Sequence, residues 1–280
     1  MAKVLITTVP FGDKNRLPLE LLEKLGVEYL INPLNKKLTE DELAKMVTDF
    51  DVIIAGTEQI TKKVMDSATS LKMVSRVGIG LDNVDLIEAE KQNIIVSYTP
   101  DAPAPAVTEL TVGLMLTLLR SVHLSNMEMH IGKWNRYFGR RLSEVTVGII
   151  GVGRIGAGVL QHLKCLGSPK ILLNDTNPNF DLNEKFNNIE WTDKSTIFQQ
   201  ADLISIHTPL TAQTKNMFRK EQLLKMKEDA IIINTARGGI INEQDLYDVM
   251  KNGHLSGAAI DVFESEPYSG KLQEIKRCIL

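Results

Sequence analysis

The chain has 280 residues, 43% apolar and 24% charged, which supplies enough apolar mass for two buried cores at roughly 100–200 residues per domain. A net charge of -3 offers no broad basic field, so neither nucleic acid nor an anionic membrane is expected as a partner. The two cysteines, Cys165 and Cys278, lie far apart and show no metal-ligand spacing, which points to a reducing compartment and no metal.

The N-terminus, MAKVLITTVPFGD, carries too short an apolar run for a signal peptide, and Leu110–Leu119 is too short to span a bilayer. A cytoplasmic protein is expected. Five β-rich runs come first: KVLITT (3–8), VEYLI (27–31), DVIIA (51–55), LKMVSRV (71–77) and NIIVS (93–97). Helical patterns lie between them, as at 17–25 and 40–48. Such alternation predicts a parallel sheet covered on both faces. The acids between Asp82 and Asp85 are placed to cap a following helix.

TPDAPAPA follows, with Pro100, Pro103 and Pro105. Three prolines in six residues stiffen the chain and resist helix, which marks a hinge between a domain at 1–98 and one at 99–280. A long helix is predicted from about Ala106, with Val107, Leu110, Leu114 and Leu118 on its apolar face. A second alternating series then runs through TVGII, KILLN, LISIH, AIIIN and GAAID. These near-continuous apolar runs suit parallel strands buried on both faces. The fold class is α/β, with two doubly wound parallel sheets.

VGIIGVGRIG (147–156) sets Gly151, Gly153 and Gly156 in G-x-G-x-x-G spacing between a strand and a helix. Gly151 allows the tight turn, Gly153 lets the backbone approach a pyrophosphate, and Gly156 lets helix and strand pack closely. Phosphates would face the N–H groups of Arg154 and Ile155 at the helix N-terminus. Asp175, at the end of the next strand, would accept hydrogen bonds from a ribose and repel a 2′-phosphate. NAD is therefore expected rather than NADP. The competing reading is a glycine-rich turn with no cofactor.

Five further stretches extend the pattern: SRVGIGLDNVDL (75–86), AVTELTVGLML (106–116), ISIHTPLTAQT (204–214), INTARGGIINEQDL (233–246) and GAAIDVFESEP (257–267). With the glycine turn, they resemble the D-isomer-specific 2-hydroxyacid dehydrogenases, above all phosphoglycerate-dehydrogenase-like members. The resemblance implies a flavodoxin-like substrate domain, a Rossmann domain and an active site in the cleft between them. It implies that Arg237 clamps the substrate carboxylate and carbonyl, a task suited to a planar, permanently charged fork. Ile79 and Gly80 would offer backbone N–H groups to the same carboxylate. Arg76, Arg136, Arg140 and Arg141 are candidates for holding an anionic tail. Thr208, Pro209, Thr235, Ala236 and Arg237 would line the nicotinamide half, beside His207. Asp261 would bind the carboxamide, and Glu266 would pair with a catalytic histidine. Family members commonly form homodimers, and the stretch around Trp134 is a candidate for that contact. Plainer roles compete: a surface arginine at 237, a turn or cap acid at 261, a solvated loop acid at 266, and a packed imidazole at 207.

The acid/base is where the pattern breaks. Hydride transfer to or from a 2-hydroxy acid needs a partner for the hydroxyl proton, and histidine titrates near working pH. The resemblance places that histidine after the Glu, beyond one more strand. Only 14 residues follow Glu266, and none is histidine. His123, His130, His162, His207 and His254 all stand in the wrong contexts. The chain is thus expected to be cut before its acid/base, with the family's closing helix and strand missing and activity impaired. AGTEQIT (55–61) lacks the Arg-Ser-Ala-Thr stretch with which phosphoglycerate dehydrogenases hold phosphate. Two functions follow as expectations. One is NAD-dependent interconversion of a small D-2-hydroxy acid and its 2-keto acid. The other is a non-catalytic NAD(H)-binding sensor or partner-binding module.

Overall fold

The computed structural model describes residues 2–280. The chain divides into two compact units, Met1–Pro103 and Ala104–Leu280, with the break inside the proline stretch.

The first unit runs β1 (Lys3–Ile6), α1 (Leu17–Lys24), β2 (Glu28–Ile31), α2 (Glu40–Met46), β3 (Val52–Ala55), α3 (Lys62–Ser67), β4 (Met73–Arg76), α4 (Leu86–Lys91) and β5 (Ile95–Tyr98). All five strands pair in parallel, in the order β2-β1-β3-β4-β5. Leu5, Ile53 and Val74 of the three central strands are fully buried, together with Leu43, Val47 and Val64 from the flanking helices. Burial of each such side chain contributes about 1.5–3 kcal/mol. Local signals set the helix starts. Thr39 accepts from Glu42 N at 3.3 Å while Glu42 Oε2 accepts from Thr39 N at 2.9 Å. Asp85 caps α4, accepting from Glu88 N at 3.0 Å, as its acidic run predicted.

The second unit opens with α5 (Ala104–Leu119) and α6 (Val122–His130), which meet at 67° around the left-handed Ser121. Then come β6 (Thr146–Ile150), α7 (Arg154–Cys165), β7 (Lys170–Asn174), α8 (Leu182–Lys185), β8 (Ile189–Trp191), α9 (Lys194–Gln200) and β9 (Leu203–Ile206). The series closes with α10 (Lys220–Lys225), β10 (Ile231–Asn234), α11 (Glu243–Lys251), β11 (Gly257–Ile260) and β12 (Cys278–Ile279). The seven strands are parallel, in the order β12-β11-β10-β9-β6-β7-β8. β6, β9, β10 and β11 are buried almost throughout, which explains their unbroken apolar runs.

Several expectations need correction. α5 starts at Ala104, not Ala106, and takes Pro105 into its first turn. The first-turn N–H groups have no partner inside the helix, so proline costs little there. Leu110, expected on the apolar face, is 42% exposed, and the buried stripe is instead Thr108, Thr111, Val112, Met115, Leu118 and Leu119. β8 was not foreseen, because three residues show no period. The run Ile275–Leu280 supplies one more short strand, β12, which pairs Cys278 with Ala258 and Ile279 with Ala259. Among the described residues no single helix is long and apolar enough to cross a membrane.

Candidate active site

In each sheet the parallel strands bring all their carboxyl ends to one edge, where ligands of such folds bind. On the second unit's edge the chain leaves β6 at Ile150 and turns at Gly151, which has φ +92°. A Cβ on Gly151 would lie 2.7 Å from the His207 carbonyl carbon and oxygen. One on Gly156 would lie 2.0 Å from the Gly151 carbonyl oxygen, inside any tolerable contact. The loop, α7 and the end of β9 can approach this closely only as glycines. Gly153 differs: nothing stands within 4 Å of its would-be Cβ. No side chain caps the first turn of α7, whose amide groups and positive dipole end favour an anion. Arg154 and Ile155 occupy that turn.

Asp175 follows β7. Its Oδ2 accepts from Val152 N at 2.6 Å and its Oδ1 from Asn177 N at 2.9 Å. The carboxylate therefore ties the glycine turn to the end of β7. After β9, His207 Nε2 sits 2.9 Å from Ser205 Oγ. Its Nδ1 and the neighbouring Thr208 Oγ1 are buried with no partner. Such orphan groups are costly unless a ligand or water satisfies them. Burial pushes the His207 ring down to about 4, so it is neutral at pH 7. That supports a packed imidazole, not a general base. Pro209 is exposed at the same edge.

β10 ends at Asn234, which is 1% exposed. Its side-chain oxygen accepts from Ala236 N at 3.1 Å and its amide donates to Arg237 O at 2.8 Å. Asn234 thus folds the 234–237 turn back on itself. Thr235 is anchored by a 2.9 Å hydrogen bond between its hydroxyl and that of Thr111 on α5. Ala236 is buried, and the half-buried Arg237 donates from Nη1 to Ala236 O at 2.7 Å. Sequence reading missed Asn234. The available signal was a polar amide ending an otherwise unbroken apolar strand.

Asp261 follows β11, and its backbone N–H donates to Asn234 O at 3.0 Å. Burial, then the charge of Glu266, pushes its carboxyl above the ordinary range. Glu266 Oε1 accepts from Phe263 N at 3.1 Å. No histidine among the described residues hydrogen-bonds Glu266: His162 Nδ1 lies against Gly158 O, and His254 Nε2 against Leu223 O.

The open cradle at Gly153, the uncapped turn, the carboxylate of Asp175 and the two orphan atoms fit a dinucleotide laid along this edge. The comparisons agree. Residues 112–280 match the family model described as the D-isomer specific 2-hydroxyacid dehydrogenase, NAD binding domain. The chain belongs to the D-isomer-specific 2-hydroxyacid dehydrogenase family. Hydroxypyruvate reductase of Thermotoga maritima is 36% identical over 267 residues, covering 92% of this chain and 85% of that protein. D-3-phosphoglycerate dehydrogenase of Methanocaldococcus jannaschii is 37% identical over 272 residues, covering 95% of this chain and 50% of that protein. The structure of Aquifex aeolicus D-lactate dehydrogenase, in complex with NAD and lactic acid, superposes with a TM-score of 0.85 at 26% identity. It covers 99% of this chain and 86% of that one.

The stretch 75–86 lies in the first unit. After β4, Arg76 donates from Nε to Asn83 Oδ1 at 3.2 Å and from Nη1 to Val77 O. Gly78 N donates to Thr99 Oγ1 at 2.8 Å, which shapes the loop holding the half-buried Ile79 and Gly80.

Two measurements follow from this geometry. Gly156→Ala should lower NADH affinity at least about tenfold in a calorimetric titration, because the new methyl must part α7 from the Gly151 carbonyl. Unchanged affinity would contradict the close-approach account. The His207 ring resonance should stay fixed from pH 7.5 to 5 and move only near its folded value of about 4. Its folded value lies below the unfolded 6.5, so the unfolded chain takes up the proton first as pH falls. Stability from this group is full above pH 6.5 and is lost progressively toward pH 4, by roughly 3 kcal/mol in all.

Proposed function

We propose that this chain is an NAD-dependent oxidoreductase that interconverts a small D-2-hydroxy acid and the corresponding 2-keto acid. The observation that carries the reading is Arg237, held by the Asn234 clamp on the sheet edge that also bears the glycine turn. NAD, when bound, supplies hydride exchange with the substrate carbon. The chain's own residues do the rest. The glycine turn and the first turn of α7 receive the pyrophosphate. Asp175 accepts from the ribose and its charge disfavours a 2′-phosphate. Thr208, Thr235 and Asp261 border the nicotinamide half, beside the half-buried His207. Arg237 presents a planar pair of donors to a carboxylate. In the first unit, Ile79 and Gly80 present backbone N–H groups suited to the same kind of anion.

The reading extends to setting and assembly. The exposed apolar side chains of Ile131, Trp134 and Phe138 support a homodimer formed through this stretch. The two unpaired cysteines support a reducing, cytoplasmic setting. The net charge of -3 supports partners other than nucleic acid or an anionic membrane.

Binding tests this reading more directly than rate, because no histidine among the described residues partners Glu266. NADH should bind, and oxamate, an unreactive 2-keto acid analogue, should bind to the NADH complex. Arg237→Lys keeps the charge but loses the fork. It should weaken oxamate about tenfold or more while NADH affinity changes less than about threefold, since charge-assisted hydrogen bonds contribute roughly 1.5–3 kcal/mol. Oxamate binding that ignores the substitution would overturn the assignment of Arg237.

A further inference from the structure

Asp261, which borders the nicotinamide half in the reading above, stands on a loop with little packing of its own. Asp261, Glu264, Ser265, Glu266 and Pro267 are all exposed. Such a segment keeps its shape through a few tethers, and losing one lets it open locally. Its start is tied by Asp261 N, which donates to Asn234 O at 3.0 Å. Its middle is tied by a side chain of another element: Glu264 N donates to Glu243 Oε1 at 2.9 Å, across 21 residues of chain. Glu243 is the first residue of α11 and is half-buried. The functional reading leaves it unused.

The same loop presses on the turn that carries Arg237. A Cβ on Gly238 would lie 2.0 Å from the Phe263 carbonyl oxygen and 2.6 Å from Glu264 N. No side chain fits there, so the two backbones touch. Within the loop, Glu266 Oε1 accepts from Phe263 N at 3.1 Å, and the Phe263 and Tyr268 rings stack with centroids 4.2 Å apart. Phe263 and Glu264 thus join the Arg237 turn to the segment that carries Glu266, and Glu243 holds that joint from the helix. Burial pushes the Glu243 carboxyl above the ordinary range, the Glu264 N–H pulls it back, and the Glu264 charge adds to the rise. A helix N-terminus favours negative charge, but that alone gives no reason to half-bury an acid beside a second one. What the loop uses is the acceptor oxygen.

We infer that Glu243 is a positioning residue: its side-chain oxygen holds the 261–266 loop so that Asp261 stays fixed against the nicotinamide half of the cofactor. It acts through the loop and contacts no ligand itself. The inference rests on the dehydrogenase reading above, which places Asp261 at that half.

The test compares two ligands by calorimetric titration of the full chain. NADH reaches the nicotinamide half. ADP-ribose lacks the nicotinamide and reports only the glycine turn, α7 and Asp175. In Glu243→Ala the acceptor is lost, and NADH should bind about tenfold more weakly while ADP-ribose changes less than about threefold. Glu243→Gln removes the charge but keeps an acceptor oxygen, and should hold NADH within about threefold of the unaltered chain. A role through the helix dipole alone would make Gln fail together with Ala. Hydrogen–deuterium exchange at the Glu264 amide reads the tether directly: protected in the unaltered chain and in Glu243→Gln, freed in Glu243→Ala. NADH affinity that ignores Glu243→Ala would overturn the inference. So would equal weakening of both ligands, or a Gln variant as weak as the Ala one. NADH binding no more tightly than ADP-ribose in the unaltered chain would overturn the placement of Asp261 in the dehydrogenase reading, and this inference with it.

Discussion

The approach of Gly156 to the Gly151 carbonyl is the contact on which the cofactor edge depends. It brings the start of α7 against the end of β6. From there the other pieces fall into register. The Gly151 backbone passes beside His207, so β9 is drawn into the same corner. Val152 N reaches Asp175 Oδ2 at 2.6 Å, which adds the end of β7. Three strand ends and a helix terminus meet because two positions have no side chain. Van der Waals packing then locks the corner, since Val159, Leu160 and Leu163 of α7 are fully buried against the sheet.

Amide clamps order the loops at strand ends in each unit. In the second unit Asn234 holds the turn that presents Arg237. In the first, Asn83 links the Glu58 loop to Arg76. Both asparagines use donor and acceptor together, Asn234 within its own turn and Asn83 between the 56–58 loop and the end of β4. Rigid loops of this kind limit the conformational entropy lost on binding.

Much of this was legible in the sequence because its signals are local. The apolar runs that became β6, β7, β9, β10 and β11 were readable from composition alone, as was the Asp85 cap from its position before α4. The glycine spacing identified the turn because its physics is carried within ten residues. The rest depends on partners distant in the chain. Asn234 looks like the last residue of a strand until the turn after it is folded. Glu58 looks like a loop acid until Thr7, 51 residues away, donates to it. Leu110 has helical spacing like its neighbours, but only the packing of α5 decides that Thr108 and Thr111 face inward. β8 was missed because three residues carry no period, and Pro105 misled because a helix's first turn tolerates it.

Hydrogen–deuterium exchange with and without NADH tests the central claim, that the glycine turn with its neighbouring strand ends is the cofactor site. Protection confined to segments 151–157, 175–177 and 207–209, with the remote face of the second sheet unchanged, is the predicted result. Protection elsewhere, with these three segments exchanging as before, would contradict it.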